Sequence, residues 1–259
     1  SDLNTVNLFY VGAGETSNRP IVFTSGAATL RIDSSGGGAL VLGNITNSAS
    51  GAVTLELRGT NTDANMITSQ LTNSGANGLT VTKTDGGVWI LNPTVANTFT
   101  GNINSAAGMI GLTSNGIGSA AGLVLNNGGI FAYGGALVTS TPVFGNNSTA
   151  VFAGQNAITI NANVTKTGGN NQWTLSNNLE GGALLTINGN FVNAEAGTGA
   201  ATQTISYRGY GSTVWNGALT ENAAAGGKIA WNIAIDPNAT FTTSGAANTY
   251  SGGTTLTDG

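Results

Sequence analysis

Histidine and cysteine are both absent from this 259-residue sequence, and charge is scarce at 7% of residues. The missing ligand types exclude the usual Cys/His zinc sites, and the missing histidine excludes a Ser-His nucleophile pair. Seven Lys or Arg stand against eleven Asp or Glu, for a net charge of −4. The basic residues fall singly along the chain, so no stripe exists to hold a phosphate backbone, and nucleic acid is not an expected partner. No apolar run approaches the ~20 residues that span a bilayer as a helix, so no membrane span is expected. Nor does any stretch keep a 3.6-residue apolar period, and Ala223-Ala224-Ala225 is too short and too flanked by glycine to form a helix of consequence. Proline occurs four times, at Pro20, Pro93, Pro142 and Pro237, and belongs at turns because it cannot donate to a sheet ladder. The lack of cysteine leaves the redox compartment open.

What the sequence does hold is glycine, 41 residues of it, within a chain that is 40% apolar. That apolar content argues against disorder. Val, Ile, Leu and Thr punctuated by Gly and Asn point to many short strands and tight turns. The strands recur. Val6-Asn7-Leu8, Leu30-Arg31-Ile32, Leu55-Glu56-Leu57 and Leu79-Thr80-Val81 share one pattern, and Ile103, Leu123-Val124-Leu125, Ile158-Thr159-Ile160, Leu185-Thr186-Ile187 and Ile205-Ser206-Tyr207 continue it with uneven gaps. Self-similarity at this short period predicts an all-β parallel β-helix (β-solenoid) with coils of roughly 24 residues, each burying its apolar face on its neighbours. Residues 1–259 are read as one such domain, open to being a segment of a longer chain. Stacking Leu30 on Leu55 and Ile32 on Leu57 would set Arg31 beside Glu56 and Asp33 beside Arg58, two opposite-sign pairs on the water-facing side. Gly36-Gly37-Gly38, Gly86-Gly87, Gly128-Gly129, Gly168-Gly169 and Gly226-Gly227 are expected at corners that need positive φ.

Candidate chemistry is thin. Parallel β-helices include polysaccharide lyases and hydrolases, which need converging carboxylates, or a calcium cluster with a base. Here the acids lie singly, and Asp33 and Glu56 are accounted for by neighbouring arginines. The calcium-binding Gly/Asp nonapeptide is absent, so no catalytic residue, metal ligand or cofactor site is assigned. One aromatic cluster stands out. Tyr207-Arg208-Gly209-Tyr210, with Trp215 close by, offers either a sugar-stacking or protein contact, or an aromatic stack inside the solenoid. Trp89, Trp173 and Trp231 are expected to pack in the core. The Asn126-Asn127, Asn146-Asn147 and Asn170-Asn171 corners suggest side-chain ladders along the stack, or simply residues that tolerate a left-handed turn.

Two pieces carry a family resemblance. Asn248-Thr249-Tyr250-Ser251-Gly252-Gly253-Thr254-Thr255-Leu256 resembles the Asn-Thr-Tyr-Thr-Gly-Gly-Thr-Thr motif of the autotransporter-associated β-strand repeat, and Asn97-Thr98-Phe99-Thr100-Gly101 is a degenerate copy. The Lys-Thr turns at Lys83-Thr84-Asp85-Gly86-Gly87, before Trp89, and at Lys166-Thr167-Gly168-Gly169, before Trp173, are similar to those the family places upstream. The resemblance covers about a third of the chain. It implies a right-handed parallel β-helix, export, and a bacterial surface or extracellular location, with an architectural rather than catalytic repeat. Bare coil ends recruit further strands. The expected function is therefore a structural or adhesive solenoid that associates end to end, as a continuing polypeptide or a fibre. A glycan-binding passenger and a polysaccharide lyase or hydrolase are the alternatives.

Overall fold

The computed structural model describes residues 5–24, 28–146, 148–168, 172–194, 202–222, 227–244 and 248–258. Nearly all regular structure is β, and the strands stack in parallel as a β-solenoid. The chain divides into two compact units, Ser1–Val124 and Leu125–Gly259.

In the first unit, Thr5–Tyr10, Thr29–Ser34, Val53–Arg58, Leu79–Lys83 and Ile103–Ser105 pair successively in one sheet. A second sheet runs through Ala13–Ser17, Gly38–Leu42, Asn65–Ile67, Val88–Leu91 and Met109–Leu112. The strand Ile21–Phe23 pairs with Ile45–Asn47 in a short third. Alternation explains the core: Leu30, Ile32, Leu55, Leu57, Leu79 and Val81 point inward and are buried, while the residues between them are partly exposed. A single helical turn, Ser114–Ile117, makes one corner, its first turn capped by the Thr113 hydroxyl.

The described strands of the second unit fall in three sheets. Val143–Gly145, Val164–Lys166 and Phe191–Asn193 form one. Another contains Gly129–Ala132, Thr149–Gly154, Trp173–Leu179, Gln203–Gly209, Ile229–Ile235 and Thr254–Asp258. The last runs from Leu137–Thr139 through Ile158–Ile160, Leu185–Ile187 and Thr213–Trp215 to Phe241–Thr243. The spacing of paired residues varies, from 21 between Val88 and Met109 to 32 between Trp173 and Ile205. The expected single ladder through Ile158, Leu185 and Ile205 is corrected: Ile158–Ile160 and Leu185–Ile187 pair in one sheet and Gln203–Gly209 in another, so the uneven later gaps compare strands of different sheets.

The register expected from the charges is the one observed: Arg31 faces Glu56 and Asp33 faces Arg58. Only the first pair closes as an ion pair, with Arg31 Nε 2.7 Å from Glu56 Oε2. Asp33 instead accepts the Ser35 hydroxyl at 2.6 Å. Arg58 turns to Asp85 at 3.2 Å and Glu56 at 3.7 Å. Desolvation acts to raise the Asp85 carboxyl, but the Gly59 N–H and Arg58 outweigh it and hold it below the ordinary range.

The glycine corners differ from expectation. None of Gly36, Gly37, Gly38, Gly86 or Gly87 has positive φ; that conformation falls to Asp85 (φ 61) beside Gly86 and to Asn127 (φ 65) beside Gly128. What demands glycine at Gly36 and Gly38 is close stacking, because a Cβ would come within 2.2 Å of Gly12 O and 2.1 Å of Ala13 O in the adjoining coil. The Lys-Thr turns have a shared logic. Lys83 and Lys166 are fully buried, and their ammonium groups cap turn carbonyls: Thr84 O and, at 2.8 Å, Asp85 O for the first, and Gly168 O at 3.2 Å for the second.

Asparagine ladders do form. Asn188 donates to Asn161 Oδ1 at 2.7 Å and accepts from Asn216 at 2.7 Å, and Ser244 extends the row. At the expected Asn126 corner the side-chain oxygen serves Asn146 N and the Ser148 hydroxyl. Asn147, Asn170, Asn171, Gly169, Gly226 and Ala223-Ala224-Ala225 lie outside the described residues.

Candidate functional site

The two motif copies build the same clamp. Leu71 N–H donates to Asn97 Oδ1 at 2.7 Å and Thr98 N–H to Leu71 O at 3.0 Å, while Leu219 N–H donates to Asn248 Oδ1 at 2.9 Å and Thr249 N–H to Leu219 O at 3.0 Å. Two residues past each leucine, a polar side chain ties the next strand to the motif. Asn73 Oδ1 accepts from Leu79 N–H (3.0 Å) and Thr100 N–H (3.1 Å); Glu221 Oε2 accepts from Ile229 N–H (2.9 Å) and Ser251 N–H (3.0 Å). The motif glycines then lie flat on the strand start, where a Cβ at Gly101 would be 2.2 Å from Leu79 O and one at Gly252 2.5 Å from Ile229 O. Asn73 and Glu221 were not apparent as partners from the sequence, because their role is set by a neighbouring coil.

The structure divides the four aromatic-cluster residues. Tyr207 and Trp215 are 1% and 0% exposed, which corrects any expectation that they meet a ligand directly. Tyr207 packs its ring 4.5 Å from that of Phe241 and hydrogen-bonds the Thr213 hydroxyl; burial pushes its phenol well up, and the hydrogen bonds pull the other way. Trp215 donates to Gly189 O at 3.0 Å and meets Phe191 and Trp231 edge-on, at 6.2 and 5.7 Å. They belong to an aromatic interior with Phe191 and Trp231, whose rings are 5.0 Å apart, and Trp173. The physical reason is phase: Ile205 and Tyr207 share the inward face of Gln203–Gly209, so Arg208 faces out. Trp89, Trp173 and Trp231 are buried as expected.

Arg208 and Tyr210 are exposed, Tyr210 by 50%. Tyr210 stands between two shallow depressions. One, of about 490 Å³, is bounded by Arg208, Asn232, Ala234, Asp236 and Thr257. The other, of about 360 Å³, is bounded by Glu180, Ser212 and Asn238. The Tyr210 hydroxyl donates to Glu180 Oε1 at 3.2 Å; desolvation and this carboxylate both push the phenol up. Asp236 Oδ1 accepts from the backbone and side chain of Asn238 at 2.8 and 3.0 Å. Among the described residues no cluster of acids suits a metal ion, and no helix is long and apolar enough to cross a membrane.

Parallel coils tied by two Asn-Thr-aromatic clamps define a β-solenoid. The sequence is 35% identical over 147 residues to the autotransporter adhesin BmaC of Brucella suis biovar 1 (strain 1330), a match that covers 52% of this chain. The chain spans 4% of the length of that relative. No family model matches the sequence, and no solved structure matches it.

Proposed function

We propose that residues 1–259 form a length of an adhesive passenger displayed at a bacterial surface, with the stack of coils as scaffold and its lateral face as the contact surface. The similarity to an autotransporter adhesin carries this reading, supported by the clamp that recurs at Asn97 and Asn248. Beads coated with the chain are expected to adhere to cultured epithelial cells above albumin-coated beads. Adherence no greater than that of the albumin control would sink the proposal.

The same reading includes stacking through coil ends. Val6 and Leu8 continue the ranks of Leu30 and Ile32, yet are 63% and 38% exposed where Leu30 and Ile32 are 8% and 0%. A further coil, from the same polypeptide or a second copy, would bury them. Sedimentation of the chain over a broad concentration range is expected to show association that a Val6→Lys, Leu8→Lys double variant abolishes. Monomers throughout would dispose of association between copies.

A further inference from the structure

We infer that Tyr210 and the two depressions beside it form a binding site for a neutral oligosaccharide. The inference rests on the adhesive reading and names the ligand class.

The backbone on either side of Tyr210 is tied down although the side chain is exposed. The residue before it, Gly209, has φ +114, and a Cβ there would lie 2.0 Å from Asn177 O. The residue after it, Gly211, donates its N–H to that same carbonyl at 2.9 Å. Asn177 is itself buried and fixed, donating to Ser212 O at 3.0 Å and the Thr213 hydroxyl at 2.8 Å and accepting from Leu179 N–H at 3.1 Å. Asp236 N–H pins Gly209 O at 3.0 Å from the next coil. A ring carried on a backbone tied in this way, its hydroxyl bonded to Glu180, has less freedom to lose when a ligand covers it.

The surrounding chemistry suits a sugar. A pyranose presents a C–H face that packs on an aromatic ring and a rim of hydroxyls that both donate and accept. On one side of the ring, among the described residues, Arg208 makes no ion pair and the Asn232 side chain is engaged only at its oxygen, by the Thr257 hydroxyl at 3.3 Å, so donors are available. Ala234 is in register with Arg208 and Thr257, and its small side chain keeps that depression open. On the other side, Glu180, Ser212 and Asn238 supply acceptors and a hydroxyl. One guanidinium against the carboxylates of Asp236 and Glu180 leaves the site with excess negative charge, which disfavours sialylated or sulfated glycans. Depressions on both sides of one ring call for a ligand of at least two sugar units.

The test uses the full chain with cellotetraose, mannotetraose and lacto-N-tetraose, and a sialylated lacto-N-tetraose as the anionic counterpart, followed by saturation-transfer NMR and titration. Binding of at least one neutral tetrasaccharide is expected, weaker binding of the sialylated one, and a loss of about tenfold or more in Tyr210→Ala and Arg208→Ala. Tyr210→Phe should retain binding, since it keeps the ring, and unchanged tryptophan fluorescence checks that each variant folds. No binding of any neutral probe, equal or tighter binding of the sialylated one, or binding that survives Tyr210→Ala overturns the site. Bead adherence separates the two readings: adherent beads without saccharide binding overturn this site alone, and saccharide binding on non-adherent beads overturns the adhesive reading alone.

Discussion

The side-chain oxygen of Asn97 accepts the backbone N–H of Leu71 at 2.7 Å, across one coil of the stack. Both residues are buried at 1% exposure, and the Asn97 amide also donates to Gly116 O at 2.7 Å, so one side chain satisfies backbone groups in the coils on either side. Asn97→Ala orphans a buried N–H and a carbonyl together. A loss of about 1–3 kcal/mol is expected in urea unfolding. Asn248→Ala, which removes the equivalent bond at an exposed position, should cost less.

Glu221 makes the second clamp sensitive to acid. Desolvation acts to raise its carboxyl, but the N–H groups of Ser251 and Ile229 and the Ser251 hydroxyl together hold it below its ordinary 4.5. A carboxyl lowered by folding contributes stability that is present above the unfolded value and is lost as pH falls through the folded one. Thermal melts between pH 6 and 3 should therefore show a decline below about 4.5 that is shallower in Glu221→Gln.

Lys83 gives a dependence of the same sign at alkaline pH. Burial, partly countered by Asp85, lowers its ammonium from 10.5 to about 8. Between these values the unfolded chain holds a proton that the folded chain has released, so stability rises as pH increases from about 8 toward 10.5. Urea midpoints measured across that window should climb in the native chain. In Lys83→Met the climb attributable to this residue should vanish.

Phe191 touches Trp173, Trp215 and Trp231 at ring separations of 6.2, 6.2 and 5.0 Å. Phe191→Ala should destabilise by about 3–5 kcal/mol, because these large rings cannot close the cavity. Tyr210→Ala should stay within about 0.5 kcal/mol, as expected for a surface side chain outside the core. Comparable losses from both in urea unfolding would contradict this division of the aromatic cluster into core and surface.

Much of the architecture is legible along the chain. The Leu30 to Leu57 pattern sets both the coil and the register, because alternation fixes which face is apolar and the charges between the apolar positions then have to match. Ile205 and Tyr207 could be assigned to the interior on the same ground. The ion-pair partners were less accessible: Arg58 pairs with Asp85 in the neighbouring coil rather than with Asp33, whose carboxylate is engaged by the Ser35 hydroxyl.

The sequence by itself therefore determined a β-stack of short coils, its inward ranks and its likeness to autotransporter passengers. These follow from spacing within a strand and from repetition, both of which are local properties. Only the tertiary structure decided that Glu221 meets Ser251, that Asn161, Asn188 and Asn216 form a ladder, and that Tyr210 stands clear between two depressions while Trp215 is buried. Those contacts join residues 27 to 30 positions apart through coils of unequal length, so no fixed period read from the chain could have aligned them.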